Sequence, residues 1–201
     1  QSYQVEDLIE DYIAILDEVD PDGRLDLYVD EWGTWYDRAP DTPSALYQQN
    51  TIRDAVSAAL FLNIFHDHAD RITMGNIAQV VNVLQAMILT RENGMVRTPT
   101  YHVFEMYNVH QGARHIPIEL NSPAYICKTA KSPPAIRPQR FKNDARPGQR
   151  WTNQVNAISA TASEAPNGTI HVSIVNADPN VAHPIAVAVA GATLTEAAGR
   201  V

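Results

Sequence analysis

Leu25-Asp26-Leu27-Tyr28-Val29-Asp30-Glu31-Trp32-Gly33-Thr34-Trp35-Tyr36 is the stretch on which the fold turns. Both faces of residues 25–30 read as largely apolar, as expected for a buried parallel strand. The run then ends in two carboxylates and passes into aromatics, with Gly33 permitting a tight exit. In a (β/α)8 barrel the C-terminal end of a strand is where reactive groups emerge from the scaffold, so Glu31 is a candidate catalytic carboxylate. Trp32, Trp35 and Tyr36 supply flat apolar surfaces beside it. The same residues also read as an ordinary strand followed by packing aromatics, and Asp-Glu-Trp alone does not separate the two.

The flanks carry helical periodicity. Val5, Leu8, Ile9, Tyr12, Ile13, Leu16 and Val19 recur at the spacing of one buried helical face, and Pro21-Asp22-Gly23 closes that helix with a turn. Thr42-Pro43 reads as a cap followed by proline at the first helical position. It predicts a second helix running through Ile52, Val56, Ala59, Leu60 and Phe65 to about residue 66. Arg71-Ile72-Thr73-Met74 is a short strand, and Thr98-Pro99 repeats the cap-plus-proline signal before a third helix with Val103, Phe104 and Tyr107 inward. The order helix, strand, helix, strand, helix predicts parallel strands with right-handed crossovers.

Past residue 113 the pattern changes to alternation. Ile116, Ile118 and Leu120 form one set, Ile170, Val172 and Ile174 a second, and Ile185, Val187 and Val189 a third. Pro166-Asn167-Gly168 carries the Asn-Gly hairpin signal, and Asp178-Pro179-Asn180 marks another turn. This half reads as antiparallel β, part of a sandwich. Two parallel strands cannot close an eight-stranded barrel, and residues 192–201 show no closing strand, so the chain is expected to be incomplete at both ends.

Composition narrows the function classes. The 201 residues are 45% hydrophobic, enough for a sizeable core, and the formal net charge of −8 argues against a nucleic-acid binder. Seven basic residues between 128 and 150, interleaved with four prolines, read as an extended solvated connector. No apolar stretch is long enough for a membrane span or a leader, and the first residue is Gln1, as if the chain began within a fold. Cys127 is the only cysteine; it excludes an internal disulfide, reads as a buried inert thiol, and fits a reducing, cytoplasmic compartment.

No metal and no cofactor are expected. His66 and His68 form a His-x-His pair with His102, His110 and His115 downstream, but on a helix that pair diverges by about 200°. A zinc site needs three or four converging ligands, so a structural role at a helix end is the reading. Arg53-Asp54 and Asp70-Arg71 read as packing and strand-end salt links. Tyr101, His102 and Tyr107 belong to the core or to the edge of a cleft.

Several strings taken together resemble glycoside hydrolase family 51, the α-L-arabinofuranosidases. They are Tyr28 through Tyr36, His68-Ala69-Asp70-Arg71, Asn76-Ile77-Ala78-Gln79-Val80-Val81-Asn82-Val83, Thr100-Tyr101-His102-Val103-Phe104, and the tail from Ser159 through Gly168-Thr169-Ile170-His171-Val172 to Asn176. The resemblance covers nearly the whole chain in order. It implies an α/β plus β fold: residues 1–112 as the C-terminal portion of a (β/α)8 catalytic barrel, residues 113–201 as an antiparallel, jelly-roll-like β-sandwich. It implies Glu31 as the nucleophile of a retaining mechanism and Gln79 as a hydrogen-bonding partner of the sugar, with Trp32 and Asn76 beside them in substrate binding. Asp30 does not suit the acid/base role, because neighbouring strand residues point to opposite faces, and it is expected to be a buried acceptor inside the strand layer.

One departure matters. The family's acid/base glutamate follows an asparagine, and no Asn-Glu pair occurs in this chain. Release of terminal α-L-arabinofuranosyl residues from arabinose-containing hemicellulose therefore calls for a complementary N-terminal barrel segment as partner. Without it, exposed strand flanks predict aggregation or a homo-oligomer. The alternatives are a non-catalytic carbohydrate-binding or assembly fragment, or a related retaining xylosidase or endoglucanase.

Overall fold

A computed structural model describes residues 2–36, 42, 44, 46–126 and 154–201. Cys127, the basic stretch 128–150 and Pro43 lie outside the described residues.

The first half follows the expected order. Helix α1 (Ser2–Val19) leads to strand β1 (Leu27–Trp32), helix α2 (Ile52–Asp67) and strand β2 (Ile72–Ile77). β1 and β2 pair in parallel, and α2 is the crossover between them. Arg71, at the start of β2, is held by the turn after α1: its Nε donates to Asp17 Oδ1 at 2.9 Å and its Nη2 to the Asp20 carbonyl at 2.8 Å. Asp20 also accepts from Leu25 N at 2.7 Å, a bond that with its neighbours holds its carboxyl below the usual range. The Asp70-Arg71 pair is thus a strand-end link, made by Arg71.

Helix α2 starts nine residues later than the Thr42-Pro43 signal suggests. Its N-cap is Thr51, whose N–H and Oγ1 both donate to Asp54 Oδ2, at 2.8 and 3.2 Å. A fully buried carboxylate satisfying the first turn outweighs a proline cue on a loop. α3 (Pro99–Tyr107) does begin where its cap predicts, with Thr98 Oγ1 accepting from Tyr101 N.

Between β2 and α3 lies an antiparallel hairpin absent from the sequence reading, β3 (Ile88–Arg91) and β4 (Gly94–Arg97). Its signal was present as Asn93-Gly94, the same dipeptide that marks the later hairpin.

After a 3-10 turn (Asn108–His110), β5 (Arg114–Ile116), β8 (Ile158–Glu164) and β9 (Ile170–Asn176) form an antiparallel sheet in the order β5-β8-β9. β6 (Ala124–Ile126) pairs with β7 (Gln154–Asn156). The β8–β9 turn uses Gly168 at φ +81°, as the Asn-Gly signal requires. Two expectations fail here. Ile118 and Leu120 are not in a strand, because Pro117 follows β5 at once and lacks the N–H that a ladder needs. Ile185, Val187 and Val189 form no strand either, and Ile185 and Val187 are exposed; alternation makes a strand only where a partner offers its edge.

The core centres on α2. Phe61, Ile64, Phe65, Trp32, Ile72, Ile77 and Val103 are buried together, with Val175 of β9 reaching the same cluster. No barrel closes among the described residues; β1 and β2 stand as a pair.

Candidate active site

Glu31 lies in a kink at the C-terminal end of β1. The register runs Val29 to Gly75 and then Trp32 to Ile77, so β1 spends three steps where β2 spends two. Such an irregularity re-aims side chains and interrupts alternation. The burial along β1 shows it, with Asp30 and Glu31 both exposed and Trp32 buried. The expectation that Asp30 is a buried acceptor is therefore corrected: it is at the surface, where Asn76 Nδ2 donates to it at 3.4 Å.

Trp32 is turned inward. Its ring stacks on Phe104 at 5.8 Å and 18°, meets Phe65 edge-on at 5.4 Å, and lies 5.3 Å from Phe61. Gly75 makes this possible, since a Cβ there would stand 3.0 Å from Phe65. Trp32 is 6% exposed, so it supports the strand from behind instead of offering a face to a ligand. The exposed aromatic is Trp35, and Tyr36 is covered by the Arg53 guanidinium at 3.5 Å.

Asn76 and Gln79 are both exposed, at the C-terminal end of β2, next to the end that carries Glu31. The two strand ends are tied directly, Ala78 N donating to the Trp32 carbonyl at 3.0 Å. The peptide between Ala78 and Gln79 is cis.

Beneath these exposed groups is a buried polar network. Gln85, 2% exposed, accepts from Thr34 N at 2.9 Å and donates through Nε2 to the Ala78 carbonyl. Gly33, at φ +136°, leaves the space: a Cβ would stand 2.6 Å from Gln85 Cδ. Asp54 accepts from Gln48 Nε2 at 2.8 Å, and Gln48 Oε1 accepts from Tyr36 N at 3.1 Å. Asn50 Nδ2 donates to the Gln85 carbonyl at 2.9 Å and to Thr100 Oγ1 at 2.7 Å. Sequence reasoning missed Gln85 and Asn50, and read Asp54 only as a packing and salt-link partner of Arg53, whose Nη2 lies 3.4 Å from Asp54 Oδ2. For Gln85 a signal existed, a lone amide in the run Val83-Leu84-Gln85-Ala86-Met87.

The histidines separate, as divergence on a helix demands. His66 packs against Tyr107 and His110, at 5.8 and 4.9 Å between rings. His68 follows α2 and faces α1, where Glu6, Glu10 and His68 bring ligand atoms within 4.8 Å of one another. Those three could hold a cation, but His68 precedes β2 and so lies at the opposite end of the strand pair from Glu31. Tyr107 is core, its hydroxyl donating to Asn63 Oδ1 at 2.7 Å, while His102 is exposed and pairs with Glu105 at 3.1 Å.

Comparison with known proteins identifies the family. Residues 30–201 match the family described as the α-L-arabinofuranosidase C-terminal domain. An intracellular exo-α-L-arabinofuranosidase of Bacteroides ovatus is 42% identical over 98% of this chain and 34% of its own length. An intracellular exo-α-(1→5)-L-arabinofuranosidase of Streptomyces lividans is 27% identical over 96% of this chain and 28% of its own. The chain thus spans about a third of the length of these curated relatives. Among solved structures, the GH51 arabinofuranosidase of Xanthomonas axonopodis pv. citri superposes with a TM-score of 0.73 at 41% identity, over 90% of this chain and 32% of that one. The family 51 enzyme AbfB of Bifidobacterium longum shares the fold, with a TM-score of 0.64 at 23% identity over 90% of this chain and 34% of that one. The chain belongs to glycoside hydrolase family 51 and corresponds to the C-terminal portion of its α-L-arabinofuranosidase relatives.

Proposed function

We propose that this chain supplies the nucleophile half of a retaining exo-α-L-arabinofuranosidase acting on arabinose-containing hemicellulose. One observation carries the reading: Glu31, Asn76 and Gln79 emerge at adjoining C-terminal ends of two parallel strands, joined by the Ala78–Trp32 backbone bond. In this reading residues 1–112 are the last portion of a (β/α)8 barrel and residues 113–201 most of a β-sandwich. Val172 and Ile174, exposed on the outer face of the β8–β9 ladder, are where a second sheet would pack.

Glu31, ionised and reachable, attacks the anomeric carbon through an oxocarbenium-like transition state and forms a covalent glycosyl-enzyme. A second carboxylic acid, about 5–5.5 Å away, protonates the departing oxygen and then takes a proton from the water that frees the sugar. Gln79 and Asn76 offer amide donors and acceptors to the sugar hydroxyls. Trp35 offers the exposed flat surface, while Trp32 holds the strand end in place.

The acid/base residue comes from a complementary N-terminal barrel segment. The flanks that it would cover are apolar and open: Tyr28, Met74 and Val80 are 53%, 43% and 48% exposed. Self-association is the expected behaviour when that segment is missing. No helix among the described residues is long and apolar enough to cross a membrane. The relatives named intracellular favour a cytoplasmic location.

The test is a mechanism-based furanoside inactivator followed by peptide mass spectrometry on the complete enzyme. Label on Glu31 supports the assignment, and an active preparation labelled elsewhere ends it. Turnover of aryl arabinofuranosides over aryl xylosides separates this activity from related retaining enzymes.

A further inference from the structure

We infer that Gln85 is a positioning residue for the site, a single buried amide that sets the loop bearing Gln79 against the loop that follows Glu31. The inference rests on the reading above. Its geometric basis is separate: both ends of one side chain are used, and each end holds a different strand exit. Oε1 accepts from Thr34 N, three residues after Glu31, and Nε2 donates to the Ala78 carbonyl, one residue before Gln79.

Three features make the amide irreplaceable by shape alone. Gln85 is 2% exposed, so neither bond has water as a substitute. Gly33 has no side chain where a Cβ would strike the Gln85 amide, so the β1 exit has been fitted to this group. The backbone of Gln85 is itself fixed, because Asn50 Nδ2 donates to its carbonyl at 2.9 Å and to that of Ala86 at 3.3 Å. Thr98 Oγ1 donates to the Ala86 carbonyl at 2.8 Å and so joins the same anchor to the cap of α3. Gln85 thus transmits the rigidity of the α2 and α3 N-termini to two loops that end at exposed, reactive side chains. Displacements of about an ångström at such groups cost catalysis heavily.

The test is a double-mutant cycle in the complete enzyme carrying this chain, reading kcat and KM on an aryl arabinofuranoside. Gln85→Met keeps the volume and removes both hydrogen bonds. It is expected to lower kcat/KM by about 10–100-fold in the parent and by a clearly smaller factor in a Gln79→Ala background, where only the contact through Thr34 to the loop after Glu31 is left to matter. Equal losses in both backgrounds, or no loss in the parent, overturn the inference. Gln85→Glu gives a second readout that survives poor folding of the first variant. Its carboxylate cannot donate to the Ala78 carbonyl, whereas the protonated acid can, so its activity relative to the parent rises as pH falls. A flat ratio overturns the inference. Glu31→Gln in the same preparation separates the two failures: activity retained there sinks the nucleophile assignment, whatever the Gln85 cycle shows.

Discussion

Helix α2 has two working faces, and they hold their neighbours by different physics. Toward β1 and β2 it presents Phe61 and Phe65 to Trp32, an aromatic cluster that excludes water and tolerates small shifts. Toward β8 and β9 it presents a polar seam. Asn63, 1% exposed, donates from Nδ2 to Ser159 Oγ at 2.9 Å and accepts from the Tyr107 hydroxyl. Beyond the helix, His110 bridges Ser163 and Ser173 at 2.7 and 2.8 Å. The apolar face supplies non-directional adhesion, while the seam fixes register, because a hydrogen bond is lost over a shift that an oily contact absorbs. The parallel pair is thereby free to carry a kink and an exposed carboxylate at its end.

Changes at α2's neighbours break or sharpen that contrast. The largest effect is expected outside both faces: Glu31→Gln in the complete enzyme lowers kcat by about 10⁴-fold or more. Because Glu31 is exposed, the melting temperature stays unchanged, and a large drop would show that the carboxylate is structural. Next is Trp32→Ala, expected to cost about 3–5 kcal/mol in denaturant unfolding through the cavity left among three phenylalanines. A loss below 1 kcal/mol would mean that the aromatic face is not the main adhesive.

Asn63→Ala is expected to cost about 2 kcal/mol, from two broken buried hydrogen bonds and an under-satisfied tyrosine hydroxyl. The contrast sharpens if this variant also loosens β8, read as faster amide exchange in residues 158–164, while Trp32→Ala loosens both sheets alike.

Acid should act on the seam through His110. Burial, reinforced by His171 and His115, lowers the His110 pKa from 6.5 to about 4. The unfolded chain therefore binds a proton that the folded chain refuses between those values. Stability is full above pH 6.5 and is lost toward pH 4, by up to about 1.4 kcal/mol per pH unit. His110→Asn, which does not ionise, removes this contribution, so the difference between the two unfolding profiles isolates it. A difference that stays constant with pH would refute the account. The smallest effect is Trp35→Ala, with a stability change within about 0.5 kcal/mol and a severalfold rise in KM.

Much of this arrangement is legible in the residue order. Thr98-Pro99 marks the start of α3 because capping is local chemistry, and Asn167-Gly168 marks the β8–β9 turn because positive φ is a local demand. The resemblance offered Glu31 and Gln79 as candidates, and the parallel pairing of β1 with β2 brings both to adjoining strand ends. The same local logic misplaced the start of α2: the decisive partner of Thr51 is a buried Asp54, and burial is not written in a dipeptide. Alternation misled at Ile185 and Val187 for a similar reason, since a strand needs a neighbour's edge as well as a pattern.

Periodicity and caps specify which segments are helix or strand, and an ordered chain of motifs specifies the family, because both depend on residues close in sequence. The inward turn of Trp32, the surface position of Asp30 and the bridging role of Gln85 depend on contacts between residues far apart in the chain, Trp32 with Phe61 and Phe104, Asp30 with Asn76, and Thr34 with Gln85. Those contacts exist only after a kink in β1 has shifted the register against β2. Alternation from Leu27 and Val29 would have sent Glu31 inward and Trp32 outward, and the kink between Val29 and Trp32 exchanged them.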